Sequence, residues 1–365
     1  MHDDAFQADQ AALLVERLRS GRISRRDFAT AAGLLGLAFV TPARAAAKEL
    51  VLSCWGGAAV AAYADSFGKP FEHDTGIPVV IDSSGPSMGK IKAMVDSGKV
   101  GWDICDTSAG SSDTLGRAGM LEPIDYAIVD KSKTIPEFAM TWCYGISAYS
   151  YVLAWDTQAV GGTSPQSWAD VWDLKKFPGK RTMRRSMHGV LESALLADGV
   201  PRDRIYPLDV ARGFDKVRQI KDDTIFWEAG TDSERLLRES EVVMGNIWST
   251  RARSVDEQTK GRVSWTWRDG QIASGVFSVP KGNPAGKDAM RFLNAMNAPE
   301  RQVMFLKLLG SGPANPAASA MVPPELRRID PTYADNMAQQ IVMSDAWYGE
   351  HYADVYPKFL DLISS

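Results

Sequence analysis

The chain has 365 residues, 45% of them apolar and 24% charged, with a formal net charge of −4. That is chain enough for two lobes of ordinary domain size, and so mild an acidity argues against a nucleic-acid or anionic-membrane binder. Three cysteines, Cys54, Cys105 and Cys143, form no C-x-x-C and allow at most one disulfide; small apolar neighbours suggest buried thiols in strands.

In chain order, the first readable segment is an address. Ser24-Arg25-Arg26-Asp27-Phe28 precedes an uncharged run over residues 29–40, too short to span a bilayer, and then Pro42-Ala43-Arg44-Ala45, which fits an A-x-A cleavage site. This order of parts predicts a twin-arginine export signal over residues 1–45, read by the Tat export machinery. Its removal takes away six arginines and five acids and leaves a net charge of −5. No cysteine closes the apolar run, so no lipid anchor is expected. No later segment approaches the roughly 18–20 apolar residues of a spanning helix. The mature chain is expected to be a free, soluble, monomeric protein of a periplasm.

Residues 49–54 read as a strand and 58–71 as a helix; residues 77–81 and 87–97 repeat the pair, and 102–105 with 112–118 repeat it again. Alternating strands and helices predict a parallel sheet covered on both faces. Ligands of such sheets sit beyond the C-terminal strand ends. Three loops meet that condition: Trp55-Gly56-Gly57, Ser83-Ser84-Gly85 and Thr107-Ser108-Ala109-Gly110. Each offers backbone amides near a helix N-terminus, which suits anions and hydroxyls, although glycine and serine are also what tight turns require.

Residues 146–155 form a long β-rich run, a candidate crossover into a second lobe. Ser167 is placed to cap a short helix carrying Trp168 and Trp172. Residues 181–183 and 241–248 read as strands, and 190–197, 210–220 and 251–260 as helices. Strands at 263–267 and 275–279 are placed to return the chain to the first lobe. Helices at 285–297 and 299–309, a loop at 309–316 and a helical, aromatic tail over 333–363 complete the reading. The expected division is residues 46–153 with 274–335 in lobe one, 154–273 in lobe two, and 336–365 packed on lobe one.

Ser167-Trp168-Ala169-Asp170-Val171-Trp172, Phe177-Pro178-Gly179-Lys180, Gly245-Asn246-Ile247-Trp248 and Gly312-Pro313-Ala314-Asn315, in that order, resemble the polyamine-binding (spermidine/putrescine) proteins of ABC transporters. The resemblance runs over essentially the whole mature chain. It implies an α/β, two-lobed periplasmic-binding-protein fold of type II, a ligand cleft between the lobes, and hinge crossovers. It also implies delivery of a small molecule to an inner-membrane permease with a separate ATPase, since this chain carries no G-x-x-x-x-G-K-[ST].

By the same resemblance, Trp55, Ser108, Trp248 and Gly230 match ligand-wall positions, with Thr231 and Asp232 beside the last. Two places depart from the pattern. Where polyamine binders present acids, this chain reads Met183-Arg184-Arg185-Ser186-Met187-His188-Gly189. Where they present a Trp and an Asp, it reads Ile272-Ala273-Ser274-Gly275. An unpaired buried ammonium is costly, whereas Arg pairs bidentately with carboxylate or phosphate. The ligand is therefore expected to carry an anionic group, as an organic acid, amino-acid derivative, opine or phosphonate does. A zwitterion stays open through Asp232 or Glu228, and a polyamine is the second reading. Strand alternation points only one of Arg184 and Arg185 inward. The expected ligand set is Trp55, Ser84, Thr107, Ser108, Arg184, Arg185, Ser186, Gly230, Thr231, Asp232, Trp248 and Ser274.

Gly85-Pro86-Ser87-Met88-Gly89 matches a hydrolase elbow, but Ser87 is equally a helix N-cap, and only His188 and His351 follow it. The four histidines have no metal-ligand spacing. The chain thus reads as a transport receptor rather than an enzyme, with no cofactor and no metal. Trp265 and Trp267 share one strand face and either wall the cleft or pack in the core; Trp347 and Tyr348 either reach the cleft from the tail or pack on the surface of lobe one.

Overall fold

The computed structural model describes residues 49–365, so the expected export signal lies outside the described residues. In the first lobe β1 (Leu50–Ser53), β2 (Val79–Asp82) and β3 (Ile104–Thr107) pair in parallel in the order β2-β1-β3. The crossovers are α1 (Ala58–Tyr63), a π-helical turn and α2 (Lys69–Thr75), then α3 (Met88–Ser97); α4 (Ala109–Arg117) follows β3. Local chemistry sets the helix starts. Ser87 accepts from the Lys90 amide to cap α3, and Ser108 accepts from the Ser111 amide to cap α4. β4 (Leu121–Glu122) is a short edge strand.

β5 (Tyr144–Asp156) then carries the chain into the second lobe. There α5 (Trp168–Trp172), β6 (Arg181–Arg184), α6 (Val190–Ala197), α7 (Val210–Arg218), β7 (Thr224–Trp227), α8 (Gly230–Arg238), β8 (Met244–Trp248) and α9 (Ser249–Thr259) follow. β6 pairs in parallel with both β7 and β8. β9 (Val263–Pro280) returns as one strand of 18 residues, antiparallel to β5. After it come α10 (Lys287–Ala295), α11 (Pro299–Leu309), β10 (Gly312–Pro313), α12 (Pro316–Met321), α13 (Ala334–Met337), β11 (Ile341–Val342) and α14 (Asp345–Ser364).

The sheet order β2-β1-β3-β9-β5-β8-β6-β7 makes the architecture plain. β3 pairs with the C-terminal end of β9, and β8 with the C-terminal end of β5. The two long strands therefore belong to both lobes and are the two crossovers between them. Each lobe has its own core. Phe67, Tyr144, Phe277 and Phe305 anchor the first, and Trp168, Met183, Leu191 and Trp227 the second; each such side chain contributes about 1.5–3 kcal/mol by leaving water. Among the described residues no helix is long and apolar enough to cross a membrane.

Two expectations change. Residues 263–280 form a single strand, because pairing with β5 resumes on both sides of a bulge over residues 267–270, where Asp269 takes a positive φ of 55°. The expectation that residues 336–365 pack on the first lobe is met only in part. Tyr348 of α14 lies over Gly110 of α4. Farther along the same helix, Phe359 meets Phe214 and Phe226 of the second lobe. Aromatic residues spread along one face of α14 hold it against both lobes.

Candidate functional site

A cavity of about 240 Å³ lies where the strand ends of the two lobes meet. Trp55, Asp106, Thr107 and Ser108 line it from the first lobe, and Arg184, Ser186, Trp227, Trp248 and Arg251 from the second. Tyr149 enters from β5, and Tyr352 and Tyr356 from α14. This is the location that the strand-end rule assigns to ligands of open α/β sheets.

Arg184, the last residue of β6, is half-buried. Its guanidinium stands 4.8 Å from the Trp248 ring centroid, with Tyr151 and Trp227 at 5.7 and 5.9 Å. It donates to the Tyr151 hydroxyl. No carboxylate pairs with it among the described residues. A guanidinium held by aromatic faces keeps its charge and its free N–H groups for an incoming acceptor. Arg185, one step along, is exposed. Both line the cavity, Arg184 from among the aromatic rings and Arg185 from its exposed rim.

Asp106 of β3 faces the same cavity. It accepts from the Tyr63 hydroxyl at 2.9 Å and meets no cation within ion-pairing distance among the described residues. Burial pushes its carboxyl up to about 7, against the pull of the Tyr63 hydroxyl and of the Arg184 and Arg251 charges. Trp55 donates its indole N–H to the Asp106 carbonyl at 3.0 Å, which fixes the tryptophan as a wall. Ser186 and His188 Nδ1 are 3.0 Å apart. Burial, with Arg184 nearby, drives His188 well below the usual imidazole range, so it enters the cavity neutral. Its ring stacks on Tyr348 at 4.1 Å. Tyr348 and Tyr206 both donate to the buried Glu192 carboxylate, at 2.8 and 2.6 Å. Trp248 is buried, and its indole N–H has no partner among the described residues.

Seven of the twelve expected ligand residues therefore line the cavity: Trp55, Thr107, Ser108, Arg184, Arg185, Ser186 and Trp248. Thr107 does so with its hydroxyl already tied to Ser112 and Ser278, both at 2.9 Å. The other five lie outside the wall, each held by local structure. Ser84 bonds Asp82. Gly230 packs under Arg251. Thr231 turns its methyl toward the position above Gly57. Asp232 accepts from the Ala229 amide at the start of α8. Ser274 donates to Asp345 at 2.8 Å. Glu228, one of the two possible amine partners, is at the exposed rim.

From the tail, Tyr352 and Tyr356 reach the wall, while Trp347 and Tyr348 are buried in the core. Trp265 and Trp267 pack on each other at 4.7 Å, and Trp267 donates to the Arg328 carbonyl, away from the cavity. Sequence reasoning missed Asp106, Tyr63, Tyr149 and Arg251. Asp106 had one signal, a carboxylate next to last in a strand whose following loop was already singled out. The three cysteines are buried free thiols. Among the described residues no cluster has the makings of a metal site.

The family of bacterial extracellular solute-binding proteins matches residues 66–337. The chain is 31% identical over 334 residues to the gamma-aminobutyric acid-binding protein of Pseudomonas aeruginosa, covering 89% of this chain and 94% of that one. The solved Atu4243–GABA receptor structure is 32% identical, with a TM-score of 0.76 over 87% of this chain and 98% of that one. The agropinic acid complex of AgtB from A. tumefaciens is 26% identical, with a TM-score of 0.81 over 87% and 99%. With these matches, the two-lobed fold and the inter-lobe cavity, the chain belongs to the bacterial extracellular solute-binding proteins, the substrate-binding components of ABC transporters.

Proposed function

We propose that the protein captures a small amphoteric solute, of the ω-amino-acid class that includes γ-aminobutyric acid, in the periplasm, and hands it to an inner-membrane ABC permease driven by a separate ATPase. The observation that carries this reading is the pair of opposite charges facing one cavity, Arg184 from the second lobe and Asp106 from the first, neither ion-paired with the protein. A ligand carboxylate answers the guanidinium. A ligand ammonium answers Asp106, within walls of Tyr63, Trp55 and Tyr149. The anionic group expected from the sequence is kept, and the amine is added at a residue the sequence reading did not name.

A polyamine fits less well, because one of its ammonium groups would face Arg184 with no carboxylate between them. Capture rather than turnover is supported by the Ser87 hydroxyl, which caps α3. His188 is bonded to Ser186, and His351 to the Trp347 carbonyl, so neither serves Ser87. The protein acts as a monomer without cofactor or metal, and reaches the periplasm by the twin-arginine route.

A thermal-shift panel on the chain from Ala46 onward tests the reading. A bound ligand stabilises by roughly 2.7 kcal/mol at a hundred times Kd. γ-Aminobutyric acid or a related amino acid raises the melting temperature, and putrescine does not. A shift with putrescine alone would establish the polyamine reading in its place.

A further inference from the structure

Arg251, in the first turn of α9, belongs to the second lobe but reaches the first. Its Nη2 donates to the carbonyl of Gly56, in the loop after β1, at 2.8 Å. Its Nη1 donates to Glu234 of α8, in its own lobe, at 3.1 Å. The side chain is 3% exposed, and Glu234 is 10% exposed. Removing one partner of a buried, charge-assisted contact of this kind costs more than breaking a surface pair, because the other is left buried and unpaired. The Nε of Arg251 is buried without a partner and lies over Gly230.

The seam is tight on the first-lobe side too. A Cβ on Gly57 would lie 2.5 Å from Arg251 Nη1 and 3.2 Å from the Thr231 methyl. Gly57 also has φ 63° and ψ −142°, a backbone region kept for glycine. Two residues along α9, Arg253 donates to the Lys307 carbonyl at the end of α11, at 3.0 Å. One helix of the second lobe thus grips the first lobe at two places.

We propose that Arg251 is the tie that holds the lobes together over the cavity: Glu234 presents its guanidinium, the Gly56 carbonyl receives it on closure, and the missing side chain of Gly57 leaves room for it. Arg251 is in this account a positioning residue. It sets how long the ligand stays, whatever the ligand's charge, whereas Arg184 reads the ligand itself. Arg251 Nη1 and Nη2 are already committed to protein acceptors, so the ion pair that selects a carboxylate is not theirs.

The test places spin labels on cysteines introduced at Lys92 and Arg218, exposed positions of the two lobes; the native thiols are buried. Inter-lobe distances and the release rate of γ-aminobutyric acid are compared for wild type, Arg251→Gln, Gly57→Ala and the double variant. Arg251→Gln is expected to lengthen the distances and speed release by at least tenfold. Gly57→Ala does the same in the wild-type background, and its effect is smaller in Arg251→Gln, where the clash with the guanidinium is gone and only the backbone strain and the Thr231 contact remain. Unchanged distances and release in Arg251→Gln, or an equal Gly57→Ala effect in both backgrounds, overturn the proposal. If Arg251→Gln does not fold, Gly57→Ala alone decides: unchanged distances and release overturn it. If wild type does not bind γ-aminobutyric acid, the ligand reading fails separately. The unliganded distances then decide the tie, and identical distributions in wild type and Arg251→Gln overturn it.

Discussion

Arg184 and Asp106 enter one cavity from different lobes, a guanidinium at the end of β6 and a carboxylate within β3, and each is held by a tyrosine hydroxyl rather than by an opposite charge. Tyr151 serves the first and Tyr63 the second. Two unlike charges kept apart by the fold are what the proposed ligand, with its two unlike ends, answers.

Removing the guanidinium should cost most. Arg184→Gln is expected to weaken γ-aminobutyric acid by a hundredfold or more, about 3 kcal/mol, as for loss of one partner of a buried charge pair. Arg185→Ala changes affinity less than about twofold, because its side chain is exposed. Titration calorimetry on both variants checks the contrast; equal losses would contradict it.

The raised carboxyl of Asp106 predicts a proton linkage. With its group titrating at about 7 in the free protein, Asp106 holds a proton at pH 6 and must release it to accept an ammonium. Affinity for an amino acid therefore rises with pH up to about 7 and levels above it. Calorimetry at pH 6 in buffers of different ionisation enthalpy should register a released proton. Asp106→Asn abolishes both the affinity and its pH dependence.

The same shift has a sign for stability. The folded state keeps this proton to about pH 7, whereas an ordinary Asp loses it near 3.8. The native state therefore binds more protons over that window, and the contribution of Asp106 to stability falls as pH rises through it. Asp106→Asn is expected to gain on wild type as pH goes from 4 to 7, by roughly 1–3 kcal/mol at the upper end. Melting curves of the ligand-free proteins across that range measure it; a constant difference would contradict the assignment.

Gly189 ties backbone geometry to the site. It has φ 73°, and a Cβ there would lie 2.5 Å from Cγ of Tyr151, the residue that holds Arg184. Gly189→Ala should destabilise by roughly 1–3 kcal/mol and weaken binding by displacing Tyr151. Melting temperature and calorimetry together test this, and a stable variant with full affinity would refute it.

Export is a separate prediction. Replacing Arg25 and Arg26 together by lysine should leave the precursor in the cytoplasm, as judged by cell fractionation. Undiminished periplasmic protein would count against the twin-arginine route.

Much of the fold was legible because it rests on local patterns. Short apolar strands between helices gave the parallel pairing of β1, β2 and β3, and Ser87 marked a helix start that the structure keeps; α4 begins at Ala109, capped by Ser108, three residues ahead of the expected start at 112. The site was legible where it follows strand ends, at Trp55, Ser108, Arg184 and Arg185. It was not legible where distant segments meet. Tyr352 and Tyr356 reach the cavity because α14 packs between the lobes, and no local pattern encodes that docking. Asp232 looked like an amine partner, yet its carboxylate satisfies the Ala229 amide of its own helix. Capping and ligand binding call for the same residue types, and only the fold separates them.

The most direct measurement is calorimetric titration of the chain from Ala46 onward with γ-aminobutyric acid, butyrate and putrescine side by side. The account predicts binding of γ-aminobutyric acid and at least hundredfold weaker binding of the other two, since each leaves Asp106 or Arg184 without its counter-charge. Putrescine binding as tightly as γ-aminobutyric acid, or butyrate doing so, would contradict it.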